Sequence, residues 1–244
     1  MNQINLDLSK KNQIAILLDP EETNSILQFI NGISQIEQNL IDYLFIGGST
    51  ATRAQIEQTI VLLKKNTKIP LIIFPGSPEQ FSNQADAILF LSLISGRNPY
   101  YLIDSQIQAA TEIYNSGIST ISTSYILIDG ENISSVEKIS KTKPINSGDI
   151  SLIYKTALAG KLMGHQAIYL EAGSGAKTTV PYTAVEQCSH ITEILIVGGG
   201  VRTIKQIEEL HKYGAKIVVI GNHIESDPEF IHEIQDYKKI NPTY

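Results

Sequence analysis

The sequence predicts an α/β protein built as one (β/α)8 TIM barrel, on three observations. Short continuous runs of Val, Ile and Leu alternate with longer amphipathic stretches along the whole chain. Strands covered on both faces read this way, as parallel sheets do. Eight such alternations fit into 244 residues, a length that suits one closed barrel over residues 1–244 better than an open sheet. Polar or glycine-rich clusters sit at the ends of several apolar runs, where a barrel keeps its chemistry.

The elements follow in order. QIAILL at 13–18 reads as the first strand, and Ile26, Leu27, Ile30, Ile33 and Leu40 mark a helix near a 3.6-residue period. YLFIGG at 43–48 is the second strand, followed by a helix over 55–65 with Ile56, Ile60 and Leu63 on one face. PLIIF at 70–74 and AILFLSL at 87–93 are the third and fourth strands. The short connection between them, at 76–84, predicts a degenerate third helix. A helix over 99–117 carries Ile103, Ile107, Ala110, Ile113 and Tyr114 as its apolar stripe. The fifth strand is 119–128; a polar stretch and a helix over about 147–163 follow. Strands at 167–172, 193–199 and 216–221 complete the barrel, with helices near 181–189, 203–213 and 227–240. No linker, low-complexity tract or close repeat interrupts the series.

Composition narrows the function. Hydrophobic residues are 42% and charged residues 18%, as in a globular protein with a large core. A net charge of −6 gives no basic surface for nucleic acid. The single cysteine, Cys188, can build neither an internal disulfide nor a thiolate metal site, and reads as packing in an outer helix. The polar start lacks a signal-peptide core, and no apolar run approaches the ~20 residues of a membrane span, so a soluble cytoplasmic protein is expected.

The chemistry is expected at the C-terminal strand ends. Asp19 ends the first strand and GGST at 47–50 the second. EAGSGA at 171–176, GGG at 198–200 and Gly221–Asn222 end the sixth, seventh and eighth. Glycine lets backbone N–H groups approach an anion closely, and the following helix adds its positive end. Successive clusters of this kind point to a phosphate grip; the plainer alternative is tight turns alone. Asp19 and Ser49 offer hard oxygen ligands suited to Mg2+, which shares itself with substrate phosphates. The alternative for Asp19 is a helix cap. Glu171 lies inside the glycine-rich motif, where a carboxylate would repel phosphate unless it took a proton from a substrate hydroxyl. Tyr169 faces the same side of the strand, as a ligand partner or a packed residue. Arg97 and Asn98 stand on the same rim, within reach of a diphosphate or merely opening a helix at Pro99. His165, His190, His211, His223 and His232 have no metal-ligand spacing.

These residues form a recognisable pattern. LLDP at 17–20, FIGGST at 45–50, SGRNPYY at 95–101, TSYILIDG at 123–130, YLEAGSGA at 169–176, VGGGVRT at 197–203 and VVIGNHIE at 218–225 resemble the geranylgeranylglyceryl phosphate synthase family, in order over nearly the whole chain. YLEAGSGA is the most specific piece. TSYILIDG and TKP look like the second subgroup, with archaeal and some bacterial members. The resemblance implies transfer of a geranylgeranyl group from its diphosphate to sn-glycerol 1-phosphate, with an ether bond made and diphosphate released. By position it assigns Asp19 and Ser49 to Mg2+. It assigns Tyr169, Leu170, Glu171, Ala172, Gly173, Ser174, Gly175, Gly199, Gly200, Gly221 and Asn222 to glycerol 1-phosphate. Glu171 would bind the glycerol hydroxyls and help take the proton, with Tyr169 beside it. Arg97, Asn98, Tyr101 and Tyr125 are candidates for the prenyl diphosphate, with Leu93, Tyr100 and Ile126 as further walls for the tail. Family members form dimers or hexamers, so a homo-oligomer is expected.

Two departures stand out. Ser122 occupies a place where the family usually has proline, and Asn146–Ser147 replace a Pro–Arg pair. Two other readings remain open at this point. VGGGVRT is shared by other phosphate-binding barrels, including isomerases and lyases. A barrel that binds phosphate without catalysis would also keep these glycines.

Overall fold

A computed structural model describes residues 6–7, 9–34 and 40–241. Eight parallel strands close into a barrel in sequence order. They are β1 (Gln13–Leu18), β2 (Tyr43–Ile46), β3 (Leu71–Ile73), β4 (Ala87–Leu93), β5 (Ser119–Leu127), β6 (Ala167–Glu171), β7 (Ile194–Gly198) and β8 (Ile217–Ile220). Every residue of β2, β3, β6 and β8 is buried, which accounts for their unbroken apolar sequences. The helices are α1 (Thr23–Ile33), α2 (Arg53–Asn66), α3 (Ser105–Ser116), α4 (Ser135–Ser140), α5 (Ile150–Leu162), α6 (Tyr182–Ser189), α7 (Ile204–Lys212), α8 (Asn222–Ser226) and α9 (Phe230–Ile240). No helix among the described residues is long and apolar enough to cross a membrane.

Local chemistry sets several boundaries. Thr52 and Gln55 form a reciprocal capping box at the start of α2, and Thr203 and Gln206 repeat it at α7. Asp149 opens α5 by accepting the Leu152 N–H at 3.0 Å. The degenerate third helix expected between β3 and β4 is not formed: turns and bends join these strands, the spacing being too short for a helix.

Four further expectations need correction. The segment from 99 opens as a π-helical turn, Tyr100–Asp104, before α3 begins. Its stripe is not core: Ile103, Ile107 and Tyr114 are 53%, 63% and 86% exposed, and Ile113 alone of α3 is buried. A period of 3.6 identifies an apolar face but not what covers it. Leu27 is likewise exposed on α1, whose buried residues are Ile26, Phe29, Ile30 and Ile33. The stretch expected to be merely polar after β5 contains α4, opened by Ser134 accepting the Glu137 N–H. Residues 35–39, through which the first helical stripe was to reach Leu40, lie outside the described residues.

By internal contacts the chain forms two compact units. One runs through Leu89 and takes in Ile107–Ile121 and the chain from Ile220; the other comprises Phe90–Gln106 and Ser122–Val219. In the first, β1, β2, β3 and the start of β4 pair in register through Leu18↔Ile46, Ile46↔Ile73 and Ile73↔Ile88. In the second, β5, β6 and β7 align Leu127↔Glu171 and Glu171↔Gly198. The second unit thus brings the sixth and seventh strand ends level.

The first unit is fastened by a buried ion pair. Lys238 Nζ of α9 lies 2.8 Å from Asp42 Oδ2, with both side chains 2% exposed. It also donates to the Asn12 carbonyl at 3.0 Å, and Asp42 accepts the Ile14 N–H at 2.9 Å. Removing Lys238 would leave the buried Asp42 charge with the more distant Lys10, at 3.9 Å, as its counter-charge. Lys238→Met is expected to cost about 3 kcal/mol, lowering the melting temperature by roughly 10 °C. Asp42→Leu in the same chain should recover much of that loss in a thermal melt, and no recovery would show that packing of the Lys238 stem dominates.

Candidate active site

At the end of β1, Asp19 is half-buried. It does not cap α1, which begins at Thr23 with Glu22 at its N-cap. Instead Oδ1 accepts the Glu21 N–H at 3.0 Å in a local turn. Burial first, then the charges of Glu21 and Glu22, hold its carboxyl above the usual range, against the pull of that N–H. Glu225 of α8 is raised too, by burial and by the charges of Asp19 and Glu22. Asn222 donates to Glu225 Oε2 at 3.3 Å, so its side chain orders this acidic neighbour.

The GGST loop presses against Asp19. A Cβ at Gly48 would lie 2.6 Å from Asp19 Cγ and Oδ2, closer than real atoms approach. A Cβ at Gly47 would run into the Phe74 carbonyl, and one at Gly76 would sit 2.9 Å from the Gly48 carbonyl. Backbone therefore packs on backbone here, with Ser49 half-buried beside it. Thr50 donates to Glu21 Oε2 at 2.6 Å. Asp19, Ser49 and the loop that carries Ser49 thus fall together in the first unit.

The second unit gathers the other group. Glu171 is 7% exposed, and its Oε1 accepts the Gly173 N–H at 2.7 Å. The Tyr169 phenol, on the same face of the strand, also draws this carboxyl down. Burial outweighs both influences and pushes Glu171 up to about 7. Tyr125, paired with Tyr169 across β5 and β6, meets it edge-on at 5.3 Å. Both phenols are held well above their ordinary value, by burial first and then by the Glu171 charge. Tyr125, a candidate for the prenyl diphosphate, also packs against Tyr169.

The glycines after β7 close over this carboxylate. A Cβ at Gly198 would lie 2.6 Å from the Tyr169 hydroxyl and 2.8 Å from Glu171 Oε2. Gly199 adopts φ +85°, and a Cβ there would lie 2.5 Å from Glu171 Oε1 and 2.7 Å from the Gly173 nitrogen. Positive φ and this contact together demand glycine. The Ala172 N–H donates to the Gly198 carbonyl at 3.0 Å, joining the two loops. Ser174 and Gly175 continue the first of them, and the Ser174 carbonyl accepts from Asn132 Nδ2 at 3.4 Å. Leu170 is buried, with its side chain on the face of β6 opposite Tyr169 and Glu171. At Gly221 a Cβ would make only ordinary contacts with Leu17.

Arg97, Asn98 and Tyr101 spend bonds on building their own rim. Arg97 Nη1 donates to the Gly96 carbonyl at 2.6 Å, and Asn98 Nδ2 to the Ser140 carbonyl at 3.2 Å. Asn98 Oδ1 accepts the Tyr100 N–H at 3.1 Å, and the Tyr101 hydroxyl reaches the Ile139 carbonyl at 3.5 Å. The departures are also accommodated locally. The Ser122 N–H donates to Gln166 Oε1 at 3.0 Å, a bond that proline would forfeit. Asn146 Oδ1 accepts the Gly148 N–H at 2.8 Å in the turn before α5.

Sequence reasoning missed two residues. Arg202, quoted within VGGGVRT but given no task, donates from Nη2 to the Ala176 carbonyl at 2.5 Å and from Nη1 to the Lys177 carbonyl at 3.4 Å. Gln80 is 1% exposed in the connection between β3 and β4, and no local pattern marks it. Cys188 is buried in α6, its thiol pushed up to about 12, as expected of inert packing. His165 shares a 2.6 Å hydrogen bond with Ser124, and His223 packs on Phe230 at 4.5 Å.

Among the described residues no group of three or more His, Cys, Asp or Glu side chains could hold a metal. The Asp19 surroundings nevertheless fit a weakly chelated cation. The half-buried carboxyl is held above its ordinary range first by burial and then by the charges of Glu21 and Glu22, and a cation would offset that second contribution. Mg2+ takes few protein ligands and fills its sphere with water and phosphate oxygens.

Comparison with known proteins now bears on the geometry. The PcrB family model matches residues 7–239. A geranylgeranylglyceryl phosphate synthase of Zunongwangia profunda is 45% identical over 219 residues, covering 88% of this chain and 92% of its own. One of Methanopyrus kandleri is 36% identical, covering 89% and 90%. In structure, the chain superposes on (S)-3-O-geranylgeranylglyceryl phosphate synthase of Thermoplasma acidophilum, in complex with its substrate sn-glycerol-1-phosphate, with a TM-score of 0.86. That pair is 27% identical, and the match covers 95% of this chain and 94% of the other.

Proposed function

The chain belongs to the PcrB family, and we propose that it transfers a geranylgeranyl-type group from its diphosphate to the 3-hydroxyl of sn-glycerol 1-phosphate. The product is an ether, the step belongs to ether phospholipid synthesis, and diphosphate is released. The observation that carries the reading is the buried Glu171, held beside Tyr169 and roofed by Gly198 and Gly199. A phosphate-binding barrel without acid–base work has no use for a buried carboxylate at an anion site. The names of the relatives and the glycerol phosphate bound by the structural neighbour support the same substrate class.

In this mechanism the loops 169–175 and 199–200, with Gly221 and Asn222, hold the glycerol phosphate through backbone amides. The amides of Ala172 and Gly173 are committed to the Gly198 carbonyl and to Glu171, whose carboxylate would face the glycerol hydroxyls. As the hydroxyl oxygen attacks the allylic carbon, the carbon–oxygen bond to diphosphate breaks and the hydroxyl proton passes to Glu171. A group titrating near neutrality suits that task. Asp19 and Ser49 would hold Mg2+, which neutralises charge on the departing diphosphate. Arg97, Asn98 and Tyr101 would line the prenyl diphosphate side. We place the enzyme in the cytoplasm as a homo-oligomer; the exposed Leu162 and Met163 at the end of α5 support self-association.

The test is incubation of the purified protein with Mg2+, glycerol 1-phosphate and prenyl diphosphates of several lengths, followed by mass spectrometry of the lipid extract. Glycerol 3-phosphate and EDTA serve as controls. A prenylglyceryl phosphate formed only with the 1-phosphate and the metal is expected. No product with any donor, from a folded protein that binds phosphate, would sink the reading. Gly199→Val should separately abolish glycerol 1-phosphate binding in calorimetry, because its side chain would occupy the space over Glu171 and resist the positive φ. Binding within twofold of wild type would remove Gly199 from the site.

A further inference from the structure

We propose that Gln80 is the positioning residue of the Asp19 site, clamping the loop after β2 so that the site takes a Mg2+-bound diphosphate. The inference rests on the assignment of Asp19 to that ligand and deepens it.

Gln80 comes from the connection between β3 and β4, which has no helix. Its side chain makes three hydrogen bonds to backbone. Nε2 donates to the Gly48 carbonyl and to the Ala51 carbonyl, both at 2.8 Å, and Oε1 accepts the Gly76 N–H at 2.8 Å. Both amide hydrogens are therefore spent on the two ends of one short loop, while the oxygen ties that loop to the strand end beside it. At 1% exposure no water substitutes for these bonds.

What Gln80 holds is the segment that carries Ser49 and abuts Asp19. Gly48 leaves no room for even a methyl group between its backbone and the Asp19 carboxylate. A shift of the loop by an ångström would either strike Asp19 or open a gap beside it. The loop is also held by the Gly47 N–H on the Leu18 carbonyl at 3.2 Å and by Thr50 on Glu21, and Gln80 adds the bonds that tie both Gly48 and Ala51 to the next strand end. A diphosphate–metal ligand needs its oxygen donors fixed before it arrives. Gln80 supplies that fixity from outside the ligand's reach.

The chemistry at position 80 is specific. Only a neutral amide offers two donors and an acceptor in one plane. Gln80→Glu keeps the shape but turns an oxygen toward carbonyls that need donors. Losing these buried bonds is worth roughly tenfold or more in affinity. The expected result for Gln80→Glu is a rise of about tenfold in the KM for prenyl diphosphate and in the Mg2+ concentration for half-maximal rate. The KM for glycerol 1-phosphate should stay within about twofold. A readout free of turnover is calorimetric binding of inorganic diphosphate with Mg2+, which should weaken in parallel. Gln80→Asn, too short to reach both carbonyls, should behave likewise if Gln80→Glu folds poorly. Equal losses for both substrates, or a fall in melting temperature with no change in diphosphate binding, would overturn the proposal and leave Gln80 a structural residue. If wild-type protein binds no Mg2+-diphosphate, the Asp19 assignment itself fails, and this inference with it. If wild type binds and the variants match it, the inference alone fails.

Discussion

Glu171→Gln is expected to lower prenyl transfer by about 10²–10⁴-fold, the range of a lost general base. The substitution is nearly isosteric. Its amide oxygen can still accept the Gly173 N–H, so the loop should keep its form. Binding of glycerol 1-phosphate should change little, and the loss should fall on kcat.

The pH dependence sharpens the expectation. Glu171 is raised from 4.5 to about 7, chiefly by burial. Wild-type kcat/KM should therefore climb as pH rises through about 7, as the base deprotonates. The bound phosphate adds negative charge, which should move the corresponding limb of kcat upward. The substrate phosphate also ionises near pH 6, so the decisive control is the variant, whose profile should lack the Glu171 limb. Stability moves the opposite way. Below pH 4.5 the group is protonated in both folded and unfolded chains. Between 4.5 and 7 the folded state binds more protons, so stability falls as pH rises, by up to about 3 kcal/mol. The glutamine variant escapes that loss and should match or exceed wild type at pH 8 in a denaturant titration. A variant that is both active and less stable at pH 8 would refute both halves.

Much of the fold was legible because buried parallel strands leave an unbroken signature. YLFI, LII and IVVI are each buried at every residue, and each was readable as a strand. The short gap between β3 and β4 read as a degenerate helix, and turns and bends stand there instead. α4 was legible but overlooked, since Ser134-x-x-Glu137 is a helix start signal. Other features were not readable in principle. The stripe on α3 has the right period, yet its exposure depends on what packs there, which no window of sequence contains. The glycine clusters read as candidates for an anion site, but the contacts they make appear only in three dimensions. Gly198 and Gly199 make room for Tyr169 and Glu171, from another strand. Gln80 bonds to residues 29 and 32 positions away, so nothing in its neighbourhood could reveal it. Candidate residues with local signatures could be named from the sequence, and residues that act through distant backbone could not.

Asp19→Asn is expected to reduce turnover by about 10³-fold while leaving the fold as stable as wild type or more so. The stability half follows from the carboxyl's surroundings. Burial and the charges of Glu21 and Glu22 hold it above its ordinary range, so its ionised form is disfavoured in the folded chain. A carboxylate raised in this way contributes less and less as pH rises past its unfolded value, and near neutrality it is a cost. Asparagine removes the charge, keeps an oxygen for the Glu21 N–H, and still fits against Gly48. It also relieves Glu225, which feels Asp19 directly. A residue retained purely for structure would lose stability when changed; one retained for a cationic ligand should gain it and lose function. The measurements are a thermal melt at pH 8, rates across a Mg2+ series, and calorimetry with glycerol 1-phosphate. Turnover should collapse at every Mg2+ concentration, glycerol 1-phosphate should bind as before, and the melting temperature should hold or rise. Retained turnover would detach Asp19 from the metal, and a fall in melting temperature would return it to a structural role.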